Sequence, residues 1–572
     1  MAKKRLAVAL VVLTGALALG ARQKEPVDEY AGRRDRLLER VNAPVVLFGH
    51  GGRENTAPDA TFWQEPNFYY LTGHDEPGTA LLLVPQTEEA KAAGLPGEIL
   101  FLPPRDKARE RWVGVKLGPA DPDAPAQTGF AVVKPVGALR GELEQVLEIF
   151  PAVYTLFPLP TPENGPAGEL SHAGRWYDWL RAVAPLTEFR DVRSVLGGMR
   201  QVKSESELSL LRFSIEQSME AHRAAMGALR PGVYEYELAA LMERSFAGAG
   251  CERPGYPPIV GSGFNSTVLH YDANRREMPA GDLVVIDVAG ECNGYTADIT
   301  RTLPVSGKFT ERQREIYQIV LAAQNAALEA VRPGMTLSRT GENSLYRIAY
   351  DYINTHGTDQ DGEPLGQYFI HGLGHHIGLE VHDAGPRGRL LEPGMIFTIE
   401  PGIYLPEESL GVRIEDIVLV TEDGYELLTA ALPRTVEKIE ELMSCNQPNL
   451  PNPVIEITRA EQEMVLGQEI VRYWLTVSNW SEFPDQLFEP SPDLPPCERN
   501  KKAARTWVDI YAEDGRRVYG FCALDSAAGL TRLWFAVQKD ELPPERVYIT
   551  LKDRRCQKTY QSNLASTAVD IE

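Results

Sequence analysis

At 572 residues the chain is too long for one hydrophobic core, and units of about 100–200 residues suggest three or four domains. Its 24% charged and 43% hydrophobic residues are ordinary for a soluble globular enzyme. The formal net charge of −22 disfavours nucleic acid or an anionic membrane as a partner and favours solubility.

Met1 to Ala21 (MAKKRLAVALVVLTGALALGA) begins with Lys3, Lys4 and Arg5 and continues into an apolar stretch and small residues. That is the form of a secretory signal peptide, cleaved near Arg22, with no cysteine just after it to take a lipid; the alternative is an uncleaved single-pass anchor. The expected location is therefore periplasmic or extracellular. Export implies an oxidising compartment, yet the six cysteines form no compact framework. Cys251 and Cys292 fall mid-chain, while Cys445, Cys497, Cys522 and Cys556 fall late. A disulfide among the last four stays open, and its pairing cannot be read.

Residues 25–190 mix strand-like runs, Pro44 to Phe48 and Ala80 to Val84, with helical stretches such as Gly137 to Ile149. Residues 195–442 carry a weak internal repeat. A capping box at Ser204 and Glu207 opens a helix with Leu208, Leu211, Ile215 and Met219 on one face, and Arg230-Pro231-Gly232 stops it. A second box at Thr310 and Gln313 opens a helix stopped by Arg332-Pro333-Gly334.

Asn446 to Pro453 (NQPNLPNP) reads as a proline-rich linker, after which helical periodicity is lost. In residues 454–572, Val471, Tyr473, Leu475 and Val477 alternate with Arg472, Trp474 and Thr476; Asp514-Gly515 marks a hairpin, and Leu533 to Val537 and Val547 to Leu551 read as strands. These short strands predict an all-β, sandwich-like domain, whose role is not legible.

Acids in core-like surroundings point to chemistry. Leu283 to Gly290 (LVVIDVAG) is an apolar, β-branched run, and Thr296 to Val305 follows the hairpin dipeptide Asn293-Gly294. If those two residues are the loop, Cys292 faces Tyr295 and Thr300 faces Asp287. Asp298 is then the diagonal neighbour of Asp287, and both carboxylates share one face. Phe369 to Asp383 (FIHGLGHHIGLEVHD) concentrates His371, His375, His376 and His382, although the chain has only 10 histidines. Glu400 ends an apolar run in IFTIEPGIY, and Arg413 and Glu415 lie inside GVRIEDIVLV. Ionised groups are costly to bury unpaired, so four acids and a histidine cluster are better explained by a shared cation than by a solvated surface.

The order Asp287, Asp298, His375, Glu400, Glu415, within IDVAGECNGYTADITRTLPVSGKFTERQREIY, HGLGHHIGLEVHD, TIEPGIY and GVRIED and joined by His270 in VLHYDAN, resembles the pita-bread metallopeptidases. Within them it is most similar to the branch of the Xaa-Pro aminopeptidases (aminopeptidase P) and prolidases. The resemblance spans Arg34 to Leu442, with PNFYYLTGHDEPG resembling the creatinase-like N-terminal domain; the late β region lies outside it. It implies an α/β (α+β) architecture, with a creatinase-like N-terminal domain before a pita-bread catalytic domain built from two similar halves.

It also implies a di-metal centre: Asp287 chelates one ion, Asp298 and Glu415 bridge both, and His375 and Glu400 complete the second. The activity implied is removal of the first residue from peptides with proline second, by a hydroxide generated at two divalent ions. The hard, oxygen-rich donor set suits Mn²⁺, with Co²⁺ or Zn²⁺ able to substitute. In that reading Glu400 shuttles the proton, His382 and His270 hydrogen-bond the substrate carbonyl and oxyanion, and His371 frames the proline pocket. Arg413 and Tyr404 steady the acids, and His376 is structural. The family also implies a homo-oligomer, dimer or tetramer. Two alternatives are a prolidase cutting only dipeptides and a non-catalytic peptide-binding protein; creatinase chemistry is disfavoured, because that enzyme lacks the metal ligands.

Overall fold

The computed structural model describes residues 23–52, 62–158, 171–386, 388–444, 450–488 and 504–571, apart from positions 523, 555 and 557. The leader at Met1 to Ala21, the first half of the linker, Cys445 and Cys497 lie outside these. The chain divides into two compact units at Glu440 and Glu441.

In the first unit, α1 (Val27–Val41) precedes a six-stranded sheet made of β1 (Val45–Phe48), β2 (Ala80–Leu83), β3 (Glu98–Leu102), β4 (Val133–Pro135), β5 (Ala152–Thr155) and β6 (Glu188–Asp191). Their order is β4-β3-β2-β1-β5-β6. Val45 and Leu47 pack with Leu37 and Phe68 on one face, while Val46 and Phe48 pack with Leu143 and Leu180 on the other. A sheet covered on both faces explains why its central strands read as unbroken apolar runs.

Residues 195–442 follow the expected duplication. Ser204 caps the helix Glu205–Ala228 and Thr310 caps Glu311–Ala330, each with its capping box formed. Gly232 (φ 86°) and Gly334 (φ 87°) take the left-handed turns that follow, a conformation glycine adopts without penalty. The first helix is followed by an antiparallel sheet of Ile259–Ser262, Leu283–Asp287 and Thr300–Pro304. The second is followed by two pairings, Ile396–Ile399 with Asp416–Val420 and Gly402–Leu405 with Leu410–Arg413. Thr300 stands opposite Asp287 and Cys292 opposite Tyr295, the register counted outward from Asn293-Gly294.

Two further features hold this unit together. Cys251 and Cys292 form a disulfide, joining the segment after the Glu235–Gly248 helix to the hairpin. Buried Arg33 of α1 pairs with Glu25 at 2.5 Å and Glu207 at 3.4 Å, and the Tyr295 hydroxyl donates to Glu25 at 2.9 Å. The N-terminal sheet domain is thereby tied to the catalytic hairpin.

The second unit contains two antiparallel sheets. One comprises Ile455–Val465, Gln468–Val477 and Leu533–Gln538; the other is built on Thr506–Ala512 and Arg546–Asp553. Tyr473, Leu475, Phe535, Val508, Ile549 and Leu551 share one apolar core, as a sandwich requires. Cys522 and Cys556 are both disulfide-bonded.

Buried His74 adds an acid sensitivity. Burial, reinforced by Lys24 and opposed by Asp75, brings its imidazole down to about 4. A folded-state value below the ordinary ~6.5 favours the neutral ring, so this stability is complete above pH 6.5 and is lost as pH falls through about 4. The loss levels off at about 3 kcal/mol. His74→Gln is expected to flatten the decline of Tm between pH 6.5 and 4; identical slopes in variant and wild type would contradict the assignment.

Candidate metal centre

All four acids stand where a strand ends or changes partner. Asp287 closes Leu283–Asp287, and Asp298 lies between Tyr295–Thr296 and Thr300–Pro304. Glu400 separates Ile396–Ile399 from Gly402–Leu405, and Glu415 separates Leu410–Arg413 from Asp416–Val420. His375 comes from a loop laid along the strand before Glu400: Thr398 N–H donates to His375 O at 2.9 Å, and Glu400 N–H to Leu373 O at 2.8 Å. Gly374 allows this approach, because a Cβ there would stand 1.9 Å from Thr398 O.

Asp287, Asp298, His375, Glu400 and Glu415 line one cavity of about 440 Å³ with His270, His371, His382 and Arg413. His375 Nε2 is 3.3 Å from Asp298 Oδ2 and 3.6 Å from Glu400 Oε1. Donor atoms of Asp298, His375 and Glu415 all lie within 4.8 Å of one another. Arg413 Nη2 reaches Asp287 Oδ2 at 2.7 Å, and Thr300 donates its hydroxyl to Glu415 Oε2 at 2.8 Å.

The charge balance of this cavity fits a cation. Asp272, Asp287, Asp298, Glu400 and Glu415 line it against one guanidinium, Arg413. Burial, then the neighbouring carboxylates, pushes the carboxyls of Asp298, Glu400 and Glu415 well above the usual range. The Tyr256 hydroxyl lies 2.7 Å from Asp287 Oδ1 and 2.6 Å from Asp298 Oδ1, yet it has one proton to give. Glu415 Oε1 is buried with no hydrogen-bond partner among the described residues. A buried carboxylate oxygen left free beside three other acids and an imidazole is the donor set of a hard divalent cation.

Behind these donors runs a relay of fixed polarity. Arg413 Nη1 donates to the Tyr404 hydroxyl at 2.9 Å, the hydroxyl donates to His371 Nε2 at 2.8 Å, and His371 Nδ1 donates to Gly372 O at 2.8 Å. Burial and Arg413 hold the His371 ring down at about 3, so it is neutral. His382 packs edge-on against His375 with ring centroids 4.2 Å apart, and both His270 and His382 are exposed residues of the cavity. His376 is buried away from it, with Nδ1 3.1 Å from Ile396 O.

Several contributors escaped the sequence reading. Tyr256 and Thr300 are among them, as is Asp383, one residue after His382. Asp383 is held by Lys203 Nζ at 2.8 Å and by Arg200, which also donates to Asn67 at 3.0 Å. Nothing in the local pattern around Tyr256 (GYPPIV) marks it, because its two partners lie 31 and 42 residues away.

A duplicated helix-and-strand fold enclosing buried acids and an imidazole defines a protein built to hold divalent cations. The description "Metallopeptidase family M24" matches residues 209–422, and "Aminopeptidase P, N-terminal domain" matches residues 30–154. The chain is 35% identical to a Xaa-Pro aminopeptidase of Haemophilus influenzae over 444 residues, covering 74% of this chain and 98% of that protein. It is 41% identical to a Xaa-Pro dipeptidase of Pyrococcus furiosus over 274 residues, 47% of this chain and 74% of that protein. Among solved structures, aminopeptidase P from Escherichia coli with the inhibitor Pro-Leu superposes with a TM-score of 0.64 at 34% identity, over 74% of this chain and all of that one. The chain belongs to metallopeptidase family M24, in its aminopeptidase P and prolidase branch.

The buried Asp383 pairing is directly testable. Its side chain and those of Arg200 and Lys203 are almost wholly excluded from solvent, so Asp383→Asn strips buried Lys203 of its paired carboxylate and leaves Arg200 only the half-exposed Glu380. Chemical denaturation is expected to show a loss of about 3–5 kcal/mol. A loss below about 1 kcal/mol, the range of an exposed ion pair, would contradict it.

Proposed function

We propose that this chain is a Xaa-Pro aminopeptidase that binds two divalent ions, Mn²⁺ by preference, and removes the first residue from peptides with proline in second place. The observation that carries the reading is the crowding of Asp287, Asp298, Glu400 and Glu415 round His375, with Glu415 Oε1 unpaired. In this reading Asp287, Asp298, His375, Glu400 and Glu415 would hold the ions between them. Bound divalent cations supply Lewis acidity, which lowers the pKa of water and polarises the scissile carbonyl.

The remaining steps fall to side chains. Glu400 Oε, whose buried carboxyl takes a proton readily, receives the proton of the attacking water and delivers it to the leaving imino nitrogen. His270 and His382, at the solvent-facing side of the cavity, donate to the substrate carbonyl and to the charge that develops on it. Neutral His371, fixed by Tyr404, frames the proline ring, and Arg413 holds the Asp287 carboxylate in place at 2.7 Å.

Prolidase is the second reading, favoured by the 41% identity to the dipeptidase. That match spans under half of this chain, whereas the aminopeptidase match runs through the N-terminal sheet domain as well. The location we propose is extracytoplasmic. The Cys251–Cys292 disulfide and the disulfide-bonded Cys522 and Cys556 support it, and such bonds persist in oxidising compartments. No helix among the described residues is long and apolar enough to cross a membrane. We also propose a homo-oligomer, dimer or tetramer; Trp112, Val113 and Val115 offer exposed apolar surface on the N-terminal domain.

Peptides with proline second are expected to lose their first residue at lengths of three and above. Cleavage of Xaa-Pro dipeptides alone would overturn the aminopeptidase reading in favour of prolidase. In the same preparation Asp298→Ala is expected to lose bound metal and to lower kcat roughly a hundredfold or more; wild-type metal content and turnover in that variant would contradict the site.

A further inference from the structure

Both long helices send a polar side chain to the backbone beside the acids, and on the first helix Ser214 and Ser218 also bond Gly290. His222 on Glu205–Ala228 and Gln324 on Glu311–Ala330 are each wholly buried. His222 Nε2 lies 3.0 Å from Val288 O and 3.1 Å from Ile299 O. Gln324 Nε2 lies 3.0 Å from Ile399 O and 3.0 Å from Ile414 O.

These four carbonyls are no random set. Val288 follows Asp287 and Ile299 follows Asp298; Ile399 precedes Glu400 and Ile414 precedes Glu415. Each lies just at or beyond the last regular pair, Asp287 with Thr300 in one half and Ile399 with Asp416 in the other, where the backbone bonds lengthen, Ile414 N–H reaching Pro401 O only at 3.4 Å. Between Val288 and Ile299 the backbone bond is stretched to 3.3 Å. A single donor atom bridging two strands across such a gap sets their separation, and with it the distance between the two carboxylates.

The chemistry of the two donors differs in a useful way. The Gln324 amide has two N–H groups, one for each carbonyl, while its oxygen accepts from Arg434 Nη1 at 3.0 Å. His222 faces two acceptors with one ring nitrogen, so Nε2 carries the proton and shares it, and Nδ1 is buried without a partner among the described residues.

We propose that His222 and Gln324 are matched positioning residues, each spacing one pair of metal-binding acids: His222 the Asp287–Asp298 pair and Gln324 the Glu400–Glu415 pair. This rests on reading the cavity as a metal centre. Groups that orient metal ligands from behind change affinity by about 10–100-fold when removed. A helix contact that served packing alone would alter folding stability and leave the metal untouched.

The test is Mn²⁺ binding to the metal-free protein by isothermal titration calorimetry, with the Tm of the metal-free protein measured alongside. Gln324→Met keeps length and loses both donors, and is expected to weaken Mn²⁺ binding about tenfold or more. Gln324→His restores a donor and is expected to recover most of it. In the other half His222→Leu is expected to weaken binding, whereas His222→Gln, with an N–H for each carbonyl, is expected to keep it. The proposal is overturned if the donor-free variants bind Mn²⁺ like the wild type while their Tm falls, or if the donor-restoring variants bind no better than the donor-free ones. Should Gln324→Met not fold, the two His222 variants decide in the same way. Absence of Mn²⁺ binding in the wild type would instead remove the metal reading itself, a distinct result.

Discussion

Four carboxylates and an imidazole share a cavity with one guanidinium, and this excess of buried negative charge is the constraint on which the rest of the structure turns. At about 4 Å and an effective dielectric of about 20, each pair of like charges costs on the order of 4 kcal/mol. Arg413 relieves Asp287 alone by direct contact. The remaining acids must hold protons or share cations, because the Tyr256 hydroxyl between Asp287 and Asp298 has one proton for two carboxylates.

The architecture answers that constraint twice. In each half of the catalytic region a capped helix lies against strands whose pairing is interrupted at the acids, and each interruption is crossed by one side chain of the helix. Duplication thus supplies two pairs of acids, and His375 completes the set from a loop that Gly374 allows to lie flat on the Thr398 backbone. The N-terminal sheet domain reaches this centre through polar contacts as well. Arg33 binds Glu25 and Glu207, and Arg200 binds both Asn67 and the Asp383 that follows His382.

Local chemistry made much of this legible in the sequence. Asn293 takes a left-handed conformation (φ 57°) and Gly294 another (φ 82°), as a two-residue hairpin loop requires, and this fixed the Asp287 and Asp298 register by counting. The capping boxes at Ser204 and Thr310 set both helix starts, because the signal lies within four residues. Tyr256, His222, Gln324 and the bond from Thr300 to Glu415 were not legible, since each acts through partners tens of residues away and looks locally like an ordinary core or strand residue. The Cys251–Cys292 pairing was equally hidden: nothing local shows that two cysteines 41 residues apart meet at the hairpin. The late β domain showed its alternation, yet no cluster in it says what it does.

The most direct measurement of the central claim is anomalous X-ray diffraction from crystals of the Mn²⁺-loaded protein. The account expects two manganese peaks among Asp287, Asp298, His375, Glu400 and Glu415. Peaks lying elsewhere, or none in this cavity, would contradict it.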